Sequence, residues 1–292
     1  MSPSNTLHAA VYDAPPIPFR LSNGKIGGKW SPIACTLIYT NKEAVVVDTP
    51  ITTAQTEELA NWIAETLPRG ARLCYIFITH GHADHWLGIP TLQRRFPGAQ
   101  AVANASTVAY MKEHSDTTFV STWSTYFPGQ IDQPTAYAEP LPASGVFSVD
   151  GHEVRAIEVG QADTHDCSVL WAPALRLAVC GDAVYGDVHQ QLAEANTREL
   201  RQAWIASVRK IQDLGPDVVV PGHKKVGEAT GPWHLENTIR YIEDFQKCVD
   251  QGFKGPRELS QAMLQIYPSR YNTSALIMGC MAAFKFAGGN KL

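Results

Sequence analysis

Short apolar runs rich in Val and Ile punctuate the chain at Ile33–Tyr39, Ala44–Val47, Leu73–Ile78, Ala101–Ala103, Val154–Val159, Ser168–Ala172, Leu177–Cys180 and Val218–Val220. They are bounded by Gly, Pro, Asp or Asn, and that length and composition predict strands rather than helices. Helical spacing of apolar residues fills the intervals at Thr53–Thr66, Ala105–Lys112, Thr197–Leu214 and His234–Val249, and again at Arg257–Ile266 and Thr273–Phe286 near the end. Strands interleaved with helices bury their apolar faces by layering, so the expected fold class is α/β. With 292 residues and 45% apolar composition the chain can bury a sizeable core, and we expect one domain over residues 1–292. The segment His114–Gly145 fits neither pattern. It carries Phe119, Trp123, Tyr126, Phe127 and Tyr137, which suit either a packed excursion or the wall of a substrate pocket.

Composition removes several classes of function. The net charge is −4 and no long basic run occurs, so nothing marks a nucleic-acid partner. No segment approaches the ~20 apolar residues of a membrane span, and the first residues lack an apolar signal core, so a cytoplasmic protein is expected. The six cysteines are scattered without a CxxC pair, which predicts buried free thiols.

Polar residues stranded at the ends of apolar runs carry the chemistry. In "THGHADHWLG", residues 79–88, His80 and His82 are two apart in extended chain and share a side. Asp84 and His85 follow where the chain turns toward a helix. Imidazole and carboxylate at this density suit a borderline divalent ion such as Zn²⁺, with Mn²⁺ or Fe²⁺ as alternatives. Three more polar residues end strands in the same way: Asp48 in "AVVVDTP", Asp182 in "RLAVCGD" and His223 in "DVVVPGHK".

These residues, in this order, resemble the metallo-β-lactamase-fold hydrolases over about residues 30–225, the helices at 234–287 being less diagnostic. The resemblance implies a four-layer αβ/βα sandwich with a cleft for one or two metal ions at an edge. It implies that His80 and His82 hold one ion, that Asp84, His85 and His223 hold the other, and that Asp182 bridges them. Asp84 and Asp182 would position the attacking hydroxide, and Asp48 would orient a histidine. By analogy with lactone-cleaving members, Tyr185 is a candidate oxyanion donor, the alternative being a core tyrosine. His189 follows at the same edge and either lines the pocket beside Trp123, Tyr126 and Phe127 or lies on the surface. One departure stands out. Where the family reads Gly-His for the first ion's third ligand, this chain has Gly160-Gln161. Gln161 could ligate weakly, Asp163 or His165 could substitute, or Asp182 and water could suffice, and a weaker first site is expected.

The implied activity is hydrolysis of a small-molecule lactone, ester, thioester or amide by metal-activated water. Two other readings remain open on the sequence. One is a lyase, decarboxylase or isomerase using the metal as Lewis acid, to which the change at Gln161 could point. The other is a non-catalytic binding module. The final apolar helix, "SALIMGCMAAFKF", can serve as core or as the face of a homodimer.

Overall fold

The structure, a computed structural model, describes residues 5–115, 117–132 and 136–287. The chain opens with β1 (His8–Ala14), β2 (Pro18–Arg20), β3 (Ile26–Lys29), β4 (Ile33–Tyr39), β5 (Glu43–Val47), α1 (Thr53–Thr66) and β6 (Arg72–Phe77). It continues through α2 (Ile89–Arg95), β7 (Gln100–Ala103), α3 (Ala105–Glu113), α4 (Thr117–Tyr126), β8 (Glu139–Pro140), β9 (Val146–Val149), β10 (His152–Gly160) and β11 (Cys167–Ala172). The last elements are β12 (Leu177–Val179), α5 (Arg198–Asp213), β13 (Val218–Val220), α6 (Trp233–Asp250), α7 (Pro256–Ile266) and α8 (Thr273–Ala287). One sheet has the order β1-β4-β5-β6-β7-β8, a second has the order β13-β12-β11-β10-β9, and β2 pairs with β3 in a separate hairpin.

Alternation along the strands builds four layers. In β5, Val45 and Val47 point between the sheets, where they meet Phe77, Val154, Leu170, Val179 and Val220. Its other residues, Ala44 and Val46, face outward against Leu59 and Ile63 of α1 and Leu92 of α2. In β11, Leu170 and Ala172 face inward. Val169 and Trp171 face outward into a cluster with Trp204, Val208 and Ile211 of α5 and Ile242 and Phe245 of α6. Successive side chains on a strand alternate faces, so a strand covered on both sides must be apolar throughout. The result is an αβ/βα sandwich. Among the described residues, no helix is long and apolar enough to cross a membrane.

The continuous apolar runs sit within one or two residues of their observed strands, and the long helical patterns match likewise. Thr52 and Thr197 cap α1 and α5, their hydroxyls accepting from the amides of Gln55 and Leu200. Three features depart from expectation. Strands β1 to β3 were not anticipated, because β1 is half-exposed and its sequence HAAVYDA lacks a continuous apolar run. β9 is short, with only Val149 buried. The irregular segment contains α4, whose Thr and Val side chains are poor helix formers in isolation. The side chain of Phe119 lies outside the described residues. All six cysteines are free thiols, five of them buried.

The two sheets are stitched together at one edge. Ser168 donates both its amide (2.9 Å) and its hydroxyl (2.7 Å) to the carbonyl of Thr79, and the amide of Ala34 reaches the carbonyl of Gly222 (2.8 Å). This edge gathers the carboxyl ends of β5, β6, β10, β12 and β13.

Candidate metal centre

The turn after β6 delivers the first four groups, and neighbouring residues fix which ring nitrogen each histidine presents. His85 Nδ1 lies 2.9 Å from Asp48 Oδ2. Thr79 donates its hydroxyl to that same oxygen (2.8 Å) and its amide to Asp48 Oδ1 (2.9 Å). With its proton given to Asp48, the Thr79 hydroxyl accepts from His80 Nδ1 at 3.0 Å. On the last strand, His223 Nδ1 donates to the carbonyl of Pro32 at 2.6 Å. His80, His85 and His223 thus all turn Nε2 toward the cleft. Asp48 thus touches both His85 and Thr79, in a left-handed conformation with φ of 60°.

Donor atoms converge in three sets, each within 4.8 Å: His80, His82 and Asp163; His80, His85 and Asp182; and Asp84, His85 and His223. All six expected ligands therefore meet, joined by Asp163. Glycine makes the approach possible. Gly181, at φ of 48°, packs so tightly that a Cβ would stand 2.2 Å from the Thr79 hydroxyl, and a Cβ on Gly222 would lie 2.3 Å from Asp182 Oδ1.

The three candidates for the missing ligand separate cleanly. Asp163 Oδ2 lies 2.8 Å from His82 Nδ1 and 3.9 Å from His80 Nε2. Gln161 is absent from the lining of the cavity over the cluster, and its amide nitrogen donates to the carbonyl of Ala162 (2.9 Å). His165 is exposed and pairs with Asp166 (2.6 Å). The turn after β10 brings Asp163, the third residue beyond the strand, to the histidines, which spacing alone could not distinguish. Sequence reasoning also missed two residues at the rim. The Trp30 indole donates to Asp84 Oδ2 (2.8 Å), and Glu194 Oε1 lies 3.0 Å from His82 Nε2. Neither has a local signal, since each belongs to a polar connecting stretch far along the chain.

The arrangement fits a divalent ion. His80 Nε2, His85 Nε2, Asp163 Oδ2 and Asp182 Oδ1 are buried without a well-aligned hydrogen bond, their close approaches being to one another and to His82. Buried polar atoms are almost always satisfied, so four orphans pointing at one space mark a place for a cation. The charges interlock. Burial, with His85 adjacent, holds the His80 imidazole well below its ordinary value. At His85 burial is outweighed by Asp182 and Asp48, which push the value up. At His223 burial is likewise outweighed by Asp182, and the value rises to about 10. Burial pushes the Asp163 carboxyl up to about 6 despite the attraction of His82.

A cavity of about 610 Å³ opens over the cluster. Trp30, Trp123 and Tyr126 form an aromatic wall, while Tyr110, His114, Asn272, Ser274 and Met278 line other sides. Trp30 packs edge-on against Trp123 with ring centres 5.1 Å apart. Two expected pocket residues are elsewhere. Phe127 is buried in the core against the outer face of the first sheet, and His189 is buried with Nδ1 on the Tyr241 hydroxyl (2.9 Å). Tyr185 does line the cavity, but its buried hydroxyl donates to Asp182 Oδ2 at 2.5 Å. Its proton is committed to the carboxylate rather than to a substrate oxygen.

Comparison with known proteins agrees with this geometry. The family described as the metallo-beta-lactamase superfamily matches residues 28–223. A metallo-beta-lactamase type 2 of Bacteroides fragilis is 26% identical over 72% of this chain and 77% of its own. An atrochrysone carboxyl ACP thioesterase of Aspergillus fumigatus is 30% identical over 66% of this chain, which spans only 50% of that protein. Among solved structures, a metallo-beta-lactamase from Pontibacter korlensis superposes with a TM-score of 0.57 at 20% identity, over 82% of this chain and 100% of its own. At that identity the likeness speaks for the fold.

Proposed function

The chain belongs to the metallo-beta-lactamase superfamily, and from that premise we propose that it hydrolyses a neutral small-molecule lactone, ester or thioester. Its general activity is metal-dependent hydrolysis. The observation that carries the finer reading is the charge of the cavity. Among the described residues no Lys or Arg lines it, whereas Asp84, Glu113, Asp163 and Asp182 do. Nearby cations are engaged elsewhere. Lys224 is buried against Asp13 (2.6 Å), Lys225 pairs with Asp187, and Arg270 donates to the carbonyl of Val188 (3.0 Å) between the rings of Tyr241 and Tyr267. Asp84, Asp163 and Asp182 would be neutralised by the ions they hold, so beyond those ions a substrate carboxylate, such as penicillins carry, would find no cationic side chain and one repelling acid, Glu113. An uncharged acyl group against Trp30, Trp123 and Tyr126 meets apolar and aromatic surface instead. The thioesterase relative favours a thioester among these.

His80, His82 and Asp163 would hold one ion, and Asp84, His85 and His223 the other, with Asp182 between; Zn²⁺ suits this donor set. A bound ion supplies a nucleophile from water at neutral pH and polarises the scissile carbonyl. The remaining work falls to the chain. Asp84, pinned by the Trp30 indole, and Asp182, pinned by the Tyr185 hydroxyl, accept hydrogen bonds from the attacking water and aim it. The aromatic wall excludes bulk water and seats the acyl group. With Asp163 in the third ligand place, the change at Gln161 no longer speaks for a lyase.

The test is a substrate panel. Purified protein should hydrolyse neutral aryl thioesters or acyl lactones faster than penicillins or cephalosporins, should lose activity on exhaustive chelation and should regain it with Zn²⁺. Turnover that survives chelation overturns the metal reading, and a preference for β-lactams overturns the neutral-acyl reading.

A further inference from the structure

We propose that Glu194 is a positioning residue for His82, the outer carboxylate that fixes the imidazole and thereby sets how tightly the His80–His82–Asp163 place holds its ion. The proposal rests on reading that place as a metal site. His82 differs from the other three histidines in how its ring is used. Its Nδ1 lies on the side of Asp163 Oδ2 (2.8 Å), the oxygen that also approaches His80 Nε2, so Nδ1 is the ligand atom. Its Nε2 faces outward to Glu194 Oε1 at 3.0 Å. A carboxylate only accepts, so once Nδ1 and Asp163 share the ion the ring's one proton belongs on Nε2, facing Glu194.

The other imidazoles are buried, but the His82 side chain is 21% exposed, and water competes for its outer nitrogen. Glu194 answers that exposure with a charged acceptor that is itself held. Its second oxygen accepts from the Thr164 hydroxyl at 2.6 Å and lies 3.3 Å from the Tyr110 hydroxyl. Thr164 in turn donates its amide to Asp163 Oδ1 at 2.8 Å. One side chain, from the connection before α5, thus braces both the histidine and the turn bearing Asp163. Asp48 does the same for His85 from β5, so each half of the centre has its own carboxylate behind a histidine.

Glu194→Ala, Glu194→Gln and Glu194→Asp in the full chain, titrated with Zn²⁺ against a graded chelator, test this. Wild type should bind two ions. In Glu194→Ala one of them should weaken 10–100-fold while the other keeps its affinity, with a smaller loss in Glu194→Gln and partial recovery in Glu194→Asp. Co²⁺ substitution should show the altered absorption at one ion only. Unchanged affinities in folded Glu194→Ala overturn the proposal, as does equal weakening of both ions. If Glu194→Ala fails to fold, Glu194→Gln, which keeps the volume, decides on the same criteria. Wild-type protein that binds no ion overturns the metal reading itself, a result distinguishable from the failure of Glu194 alone.

Discussion

Asp163 shows what a displacement of two residues can do to a site. The family pattern points at Gln161, but the chain bends so that the acid two positions later reaches the histidines, and an anionic oxygen replaces a neutral nitrogen. Asp163→Asn should therefore remove about one equivalent of metal and lower kcat/KM on the order of 100-fold, measured by elemental analysis beside turnover. Gln161→His should leave stoichiometry unchanged, because that side chain is turned toward the carbonyl of Ala162. The core of the centre was legible because four candidate ligands are packed into residues 80–85, and Asp182 and His223 follow apolar strands. Asp163, Gln161 and His165 could not be ranked from sequence, since spacing carries no information about the direction of a turn. Glu194 and Trp30 were invisible for a different reason: each acts on a partner far away in the chain, from a stretch with no pattern of its own.

At the level of elements, the helices behind the second sheet hold the ligand turns in place. The indole of Trp204, buried in α5, donates to the carbonyl of Ala183 (2.9 Å), next to Asp182. Trp204→Ala should cost about 3–5 kcal/mol by cavity formation, read by denaturant unfolding, and should loosen metal binding through Asp182. Gly222→Ala tests the opposite strain. A methyl there meets the rigid backbone of Gly181 as well as Asp182 Oδ1, so a loss of about 1–3 kcal/mol and reduced metal content are expected. Strands covered on both faces declare themselves in sequence by unbroken apolar runs, which is why β4 and β13 were found to the residue. β1 and β9 gain their structure from a neighbour rather than from composition, and α4 is held helical by packing against the hairpin of β2 and β3. Tertiary context decides such elements, and a local reading has no access to it.

Across the whole molecule, acid sensitivity should come partly from a buried group that does not line the cavity. His189 is buried, and burial with the Arg270 charge nearby holds its value down at about 4. The unfolded chain takes up this proton near 6.5 and the folded one only near 4, so stability is full above 6.5 and falls as pH drops through that window. The contribution is at most about 3 kcal/mol, and His189→Gln should flatten the stability profile between those limits in urea melts at graded pH. A larger consequence follows from where the ligands originate. His80, His82, Asp84 and His85 hang from the first sheet, whereas Asp163, Asp182 and His223 hang from the second. The centre lies on the seam between two half-sandwiches. An ion seated there closes a chain loop as long as most of the sandwich, and like a disulfide across the same span it would narrow the unfolded ensemble. Catalysis and cohesion would then share one rivet: an ion that activated water there would also keep the halves from parting.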